Sequence, residues 1–142
     1  MPCNTDLTPE LIEAYRDTNY WVATEPPFVM RVDVPSPELA ALYTRFNTDC
    51  AAFLTASNPY SKKLDDLANA QRHHQLARHL EALKLRSIEG AGRHPSGDWP
   101  AETSFLVLGI SQQTAMALGR QFEQNAVVCC GADALPRLVL LR

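Results

Sequence analysis

The sequence predicts an α/β sandwich: one domain, residues 1–142, with a mixed sheet of five or six strands and about four helices. Segments with apolar residues at helical spacing alternate with short β-branched and aromatic runs, in the order α-β-β-α-β-α-β-α-β-β. A chain of 142 residues suits one hydrophobic core. At 46% hydrophobic and 20% charged it lies in the ordinary globular range, with no internal repeat or low-complexity segment.

Thr8-Pro9-Glu10 sets a capping hydroxyl before a proline at the first helical position, and Leu11, Ile12 and Tyr15 supply an apolar face, giving a helix from Pro9 to Arg16. NYWVAT and FVMRVDV read as strands, separated by Glu25-Pro26-Pro27, which cannot continue a ladder. Ser36-Pro37-Glu38 repeats the capping signal, and Leu39, Leu42, Tyr43 and Phe46 define a second helix ending near Asn47. CAAFL, apolar without alternation, suits a central strand buried on both faces.

The polar stretch TASNPYS follows that strand directly. Asn58 before Pro59 is held away from helical torsions, and Ser61 is placed to cap a helix from Lys62 to about Leu85, so a strand-to-helix turn with bare backbone N–H groups is expected. The inward seam of that helix is Asn69, His73, Leu76, Leu80 and Leu83, polar in its first half and apolar in its second. SIEGAGRHPSGDWPAETS, punctuated by Gly90, Gly92, Pro95, Gly97 and Pro100, reads as a long loop, a feature often functional in a small domain. FLVLGI is a buried strand, Gln112 to Phe122 a helix behind the Ser111 cap, and NAVVCC with RLVLL an antiparallel pair across a turn at 131–136.

Several function classes are excluded or disfavoured. The acidic, amphipathic start lacks the basic-then-apolar pattern of a signal peptide, and no apolar run approaches the ~18 residues of a membrane span, so a cytoplasmic protein without membrane contact is expected. Cys3, Cys50, Cys129 and Cys130 have no zinc-site spacing and read as reduced thiols; His73, His74 and His79 do not share a helical face, and neither metal nor cofactor is expected. GxxxxGK[ST] and GxSxG motifs are absent. The net charge of −3 divides unevenly: Lys62 to His94 holds seven of the 13 basic residues, four of the 16 acidic ones and every histidine. The overall pI near 5.8 argues against a nucleic-acid partner, leaving only the local basic patch with Tyr60 as a place for a single strand.

FLTASNPYS, then Asn69, Arg72 and Leu76 along one helix, then GAGRHPSGDWPAETSFLVLGIS, then RQFEQNAVV, together resemble the family catalogued as domain of unknown function 3293, from Ala14-Tyr15 to LPRLVLL. The resemblance implies an α/β fold and a stand-alone protein, and no activity comes with it. Ser57, where a larger aromatic or His often precedes Asn-Pro, and Ala68, where an acidic residue often precedes Asn69, depart from its pattern.

Three polar clusters are expected to meet at the ends of the strands: Thr55, Asn58, Tyr60 and Ser61; Asn69, Arg72 and His73; Trp99, Glu102 and Ser104, with Gln124 nearby. Free N–H groups beside Lys62, Lys63 and Arg72 suit a phosphate or carboxylate, and Tyr60 or Trp99 suits a ring, so the first expectation is a small-ligand-binding protein for an anionic, nucleotide-like compound at turn 55–63. An enzyme is the alternative, a small hydrolase on a nucleotide-like or glycosyl substrate with Glu102 as acid/base and His73 sharing the proton. A third is a protein-binding adaptor that uses the basic helix 62–86 through Arg78, His79, Lys84 and Arg86. Against these stand plain structural roles: Asn58 and Ser61 as turn and cap residues, Asn69 and His73 as satisfied inner groups, Trp99 as a plug, Glu102 as a partner of Arg93 or Arg72. Loss of binding at unchanged melting temperature in Arg72→Ala marks a ligand residue, whereas a large loss of stability marks a structural one.

Overall fold

Thr8, Ser36 and Ser111 each accept a hydrogen bond from the backbone N–H three residues on (3.2, 3.2 and 3.1 Å), fixing the starts of three helices. The structure, a computed structural model, describes residues 5–97 and 99–142; Cys3 lies outside them. The helices are α1 (Pro9–Asp17), α2 (Pro37–Phe46), α3 (Asp66–Ala82) and α4 (Gln112–Gln121). The strands are β1 (Asn19–Val22), β2 (Phe28–Met30), β3 (Ala51–Thr55), β4 (Arg86–Arg93), β5 (Glu102–Leu108), β6 (Ala126–Cys130) and β7 (Pro136–Leu140).

All seven strands form one sheet in the order β2-β1-β4-β5-β3-β6-β7. It curls, so that Asp33 N–H, just past β2, donates to Pro136 O on β7 (2.8 Å), and Ser36 N–H donates to Ala134 O (3.1 Å). Alternation along the strands gives two cores. On one face Tyr20, Val22, Met30, Phe53, Leu106 and Val128 pack with Leu39, Leu42 and Tyr43 of α2. On the other, Leu54, Phe105, Val107 and Cys129 pack with Leu76 and Leu80 of α3 and Leu118 of α4. Full burial of each large apolar side chain stabilises by about 1.5–3 kcal/mol, so the layering follows from the alternation itself.

The α/β sandwich expected from the sequence is the fold, with three corrections. The sheet has seven strands rather than five or six, and every pairing is antiparallel where a mixed sheet was expected. The stretch read as a long loop contains β4, paired with β1 and β5. Gly90 serves packing: a Cβ there would lie 2.5 Å from Trp21 O and 2.9 Å from Phe53 Cε2, so only glycine lets that ring cross the strand. Helix α3 starts four residues later than read, at Asp66, because the Asp65 carboxylate accepts from Ala68 N–H (2.7 Å), and a separate turn of 3₁₀ helix occupies Pro59–Ser61.

No helix of the described residues is long and apolar enough to cross a membrane. Cys50, Cys129 and Cys130 are unbonded thiols, and burial pushes those of Cys129 and Cys130 up to about 11 and 12, which leaves them protonated and inert.

Candidate functional site

Cross-strand register builds the floor of a cavity. Tyr20 lies opposite Gly92, Gly92 opposite Glu102, and Ser104 opposite Thr55, so these residues occupy neighbouring positions on one face of the sheet. Helix α1 covers that end of the face with Leu11, Ala14 and Tyr15, and Tyr20 Oη donates to Tyr15 O (2.7 Å) to hold the helix down. Between them is a cavity of about 340 Å³. Phe53, Val128 and Leu138 make its apolar side, and His94, Ser96 and Trp99 from the β4–β5 connection also line it.

The strand-to-helix turn supplies the other wall. Asn58 is only 5% exposed and adopts φ 51°, a left-handed conformation that asparagine tolerates better than most residues. Its side chain joins three segments: Oδ1 accepts from Leu64 N–H and Asn69 Nδ2 (both 2.9 Å), and Nδ2 donates to Glu102 Oε2 (2.7 Å). Tyr60 and Ser61 also have positive φ, at 52° and 61°. Three such residues within four concentrate backbone strain beside the cavity, a property of functional segments. Ser61 Oγ in turn meets Tyr15 Oη (3.2 Å) and accepts from Asn125 Nδ2 (2.9 Å).

Glu102 is the ionisable centre. Burial raises its carboxyl pKa, opposed by the bonds from Asn58 and from Trp99 Nε1 (3.2 Å), both of which fall on Oε2. Among the described residues Oε1 accepts no bond. Because the folded pKa lies above the unfolded one, stability falls as pH rises through the window between them. Glu102→Gln, which keeps an oxygen for both donors, therefore melts near the parent at pH 4 and a few degrees above it at pH 7. Paired thermal melts at the two pH values test this, and a constant difference would contradict it.

Of the residues picked from the sequence, Thr55, Asn58, Ser61, Trp99, Glu102 and Gln124 line the cavity, while Tyr60, Asn69, Arg72 and His73 do not. Asn69 stands behind Asn58, accepting from its N–H (2.9 Å). Arg72 is a clamp: Nε donates to Ala56 O (2.6 Å), another guanidinium nitrogen donates to Phe122 O, and Glu123 lies at 3.5 Å. His73 lies on the opposite face, stacked on Phe105 at 4.1 Å, with Nε2 against Glu89 and a buried Nδ1 that has no partner among the described residues. Tyr60 packs under the Arg142 guanidinium at 4.2 Å.

Most of the N–H groups expected to be bare at the turn are engaged. Those of Ser57, Asn58, Tyr60, Ser61, Lys62 and Leu64 all donate within the protein. Glu102 pairs with neither Arg93 nor Arg72; Arg93 sits over the Trp21 ring. The basic segment is also divided: Arg86 leaves α3 for β4 and lies over Phe46, so no single basic face runs through 62–86. Tyr15, Tyr20, Gly92 and His94 are wall residues that sequence reasoning did not select. The apolar face of α1 was visible, and only the tertiary fold shows that it roofs a cavity. Among the described residues no group of three His, Cys, Asp or Glu is arranged to hold a metal.

The chain belongs to the family described as protein of unknown function (DUF3293), whose model matches residues 54–127, just over half of the chain. Asn58, Asn69, Arg72, Trp99, Glu102 and Gln124 fall inside the matched stretch, and the α1 roof and Tyr20 fall outside it. Neither the curated proteins nor the solved structures gave a match.

Proposed function

We propose that the chain is a small-ligand-binding protein whose site is the cavity between α1 and the sheet. The observation that carries this is the meeting of a partly enclosed, largely aromatic and aliphatic space with one half-buried carboxyl held by two donors. An anionic, nucleotide-like compound remains the class the turn residues suggested, but most of the N–H groups that were its strongest support are taken up internally, and His94 is the basic residue lining the cavity among the described residues. Unbonded cysteines support a reducing, cytoplasmic setting.

The test is a thermal-shift screen of small cationic, neutral and anionic ring compounds, repeated on Gly92→Leu. Gly92 lies on the cavity floor, and a Cβ there meets Thr18 Cγ2 at an ordinary 3.6 Å, so the variant fills the cavity without disturbing the strand. A ligand that raises the parent's melting temperature by several degrees and leaves Gly92→Leu unmoved supports the site. Equal shifts in both proteins place binding elsewhere.

A hydrolase with Glu102 as acid/base is the second reading, favoured by the raised carboxyl pKa inside a cavity. For any compound found by the screen, Glu102→Gln retaining affinity and losing turnover identifies an enzyme. Retained affinity with no turnover in either protein identifies a binder.

A further inference from the structure

We infer that the ligand is a small organic amine bound as its ammonium form, with Glu102 as the counter-ion and the surrounding aromatic rings as the walls; this rests on the small-ligand reading above. Three observations carry it. Among the described residues no Lys or Arg lines the cavity, and the basic ring that does, His94, has Nδ1 engaged with the hydroxyl of Ser96 at 2.8 Å and its N–H at 3.2 Å. The carboxyl is therefore half-buried without a cationic partner, an arrangement that costs stability until a cation arrives.

On the Glu102 and Gln124 side of the cavity the unused hydrogen-bonding capacity is of acceptor type. Asn58 and Trp99 donate to Glu102 Oε2, Ser104 Oγ donates to Glu102 O (2.9 Å), and Gln124 Nε2 donates to the carbonyls of Ser57 and Phe122 (3.0 and 3.1 Å). Two carbonyl partners fix the orientation of the Gln124 amide. Glu102 Oε1 and Gln124 Oε1 are left without partners among the described residues. A ligand that brings several N–H donors and a positive charge complements such a wall, whereas a phosphate or carboxylate would meet like charge.

The rings complete the match. Tyr15, Tyr20, Phe53 and Trp99 line the same cavity, with Trp99 bonded to the carboxyl, and aromatic faces attract an ammonium ion. A volume of about 340 Å³ is at the small end of ligand sites, which suits a monoamine with one ring.

The experiment titrates the intact protein with phenethylamine, 2-phenylethanol and 3-phenylpropionate, matched in size and differing in charge, and follows the Trp99 indole N–H resonance. Phenethylamine is expected to bind at least about tenfold more tightly than the alcohol, with the propionate weakest. In Glu102→Gln the amine preference collapses while the alcohol still binds, which shows that the variant's cavity is intact. An alcohol or propionate that binds the parent as tightly as the amine overturns the inference and leaves the small-ligand reading standing. A tenfold preference that survives in Glu102→Gln also overturns it, because the counter-ion is then another group. If none of the three binds, the cavity reading falls and the inference with it.

Discussion

Arg72→Ala is expected to lower the melting temperature by roughly 10 °C, the largest effect of any single polar substitution beside the cavity. The guanidinium is not poised for a ligand; it donates to the carbonyls of Ala56, just after β3, and of Phe122, at the end of α4, while lying 5.9 Å from the Phe122 ring. Removing it leaves the Ala56 carbonyl without a donor, worth about 1–3 kcal/mol, and takes a charged donor from Phe122 O, which keeps Gln124 Nε2 (3.1 Å), for a loss on the order of 3 kcal/mol. Arg72→Lys, which cannot reach both carbonyls in a fork, recovers less than half of that. Urea titration with an unchanged m value checks the result. A melting temperature within a degree or two of the parent, combined with lost ligand binding, would return Arg72 to the ligand site.

Asn58→Ala comes next, and it combines two losses. Alanine at φ 51° costs about 1 kcal/mol in backbone strain, and the vacated side chain strands Leu64 N–H, while Asn69 Nδ2 keeps Leu64 O (3.4 Å) and Glu102 Oε2 keeps Trp99 Nε1 (3.2 Å). Together these amount to about 3 kcal/mol. Asn58→Gly separates the parts: it removes the strain but not the missing bonds, so it should recover only about 1 kcal/mol relative to alanine. Equal stability of the alanine and glycine variants would show that the left-handed backbone contributes nothing. The same substitution takes a donor from Glu102, so its carboxyl titrates at still higher pH and pairs less well with a cation.

The sequence made the helices and the central strand legible because caps and periodicity are local. Thr8, Ser36 and Ser111 act where their spacing to proline or to the apolar run placed them. Strand β4 was hidden because Gly90 and Gly92 look like punctuation, and their purpose, room for Phe53 and for the cavity floor, involves residues about 40 or more positions away or on another strand. Ser61 resembled a helix cap, yet Tyr15 and Asn125 claim its hydroxyl, leaving Asp65 to cap α3. At the site, Asn58, Trp99 and Glu102 were identifiable as polar or ring residues in unusual places, but their mutual contact spans 44 positions and follows from sheet order alone. Arg72 and His73 illustrate the reverse. Polar residues on an inward helix face pointed to a ligand, and the fold uses one to fasten carbonyls and the other to stack on Phe105.

The curl of the sheet bears on how copies of this chain behave at high concentration. Outer strands normally offer rows of unpaired backbone groups on which another molecule can template. Here one rim is a strand of three residues, Phe28–Met30, the other opens with Pro136, and the bonds from Asp33 and Ser36 tie the two rims to each other. A chain that closes on itself in this way resists edge-to-edge aggregation without needing a charged border.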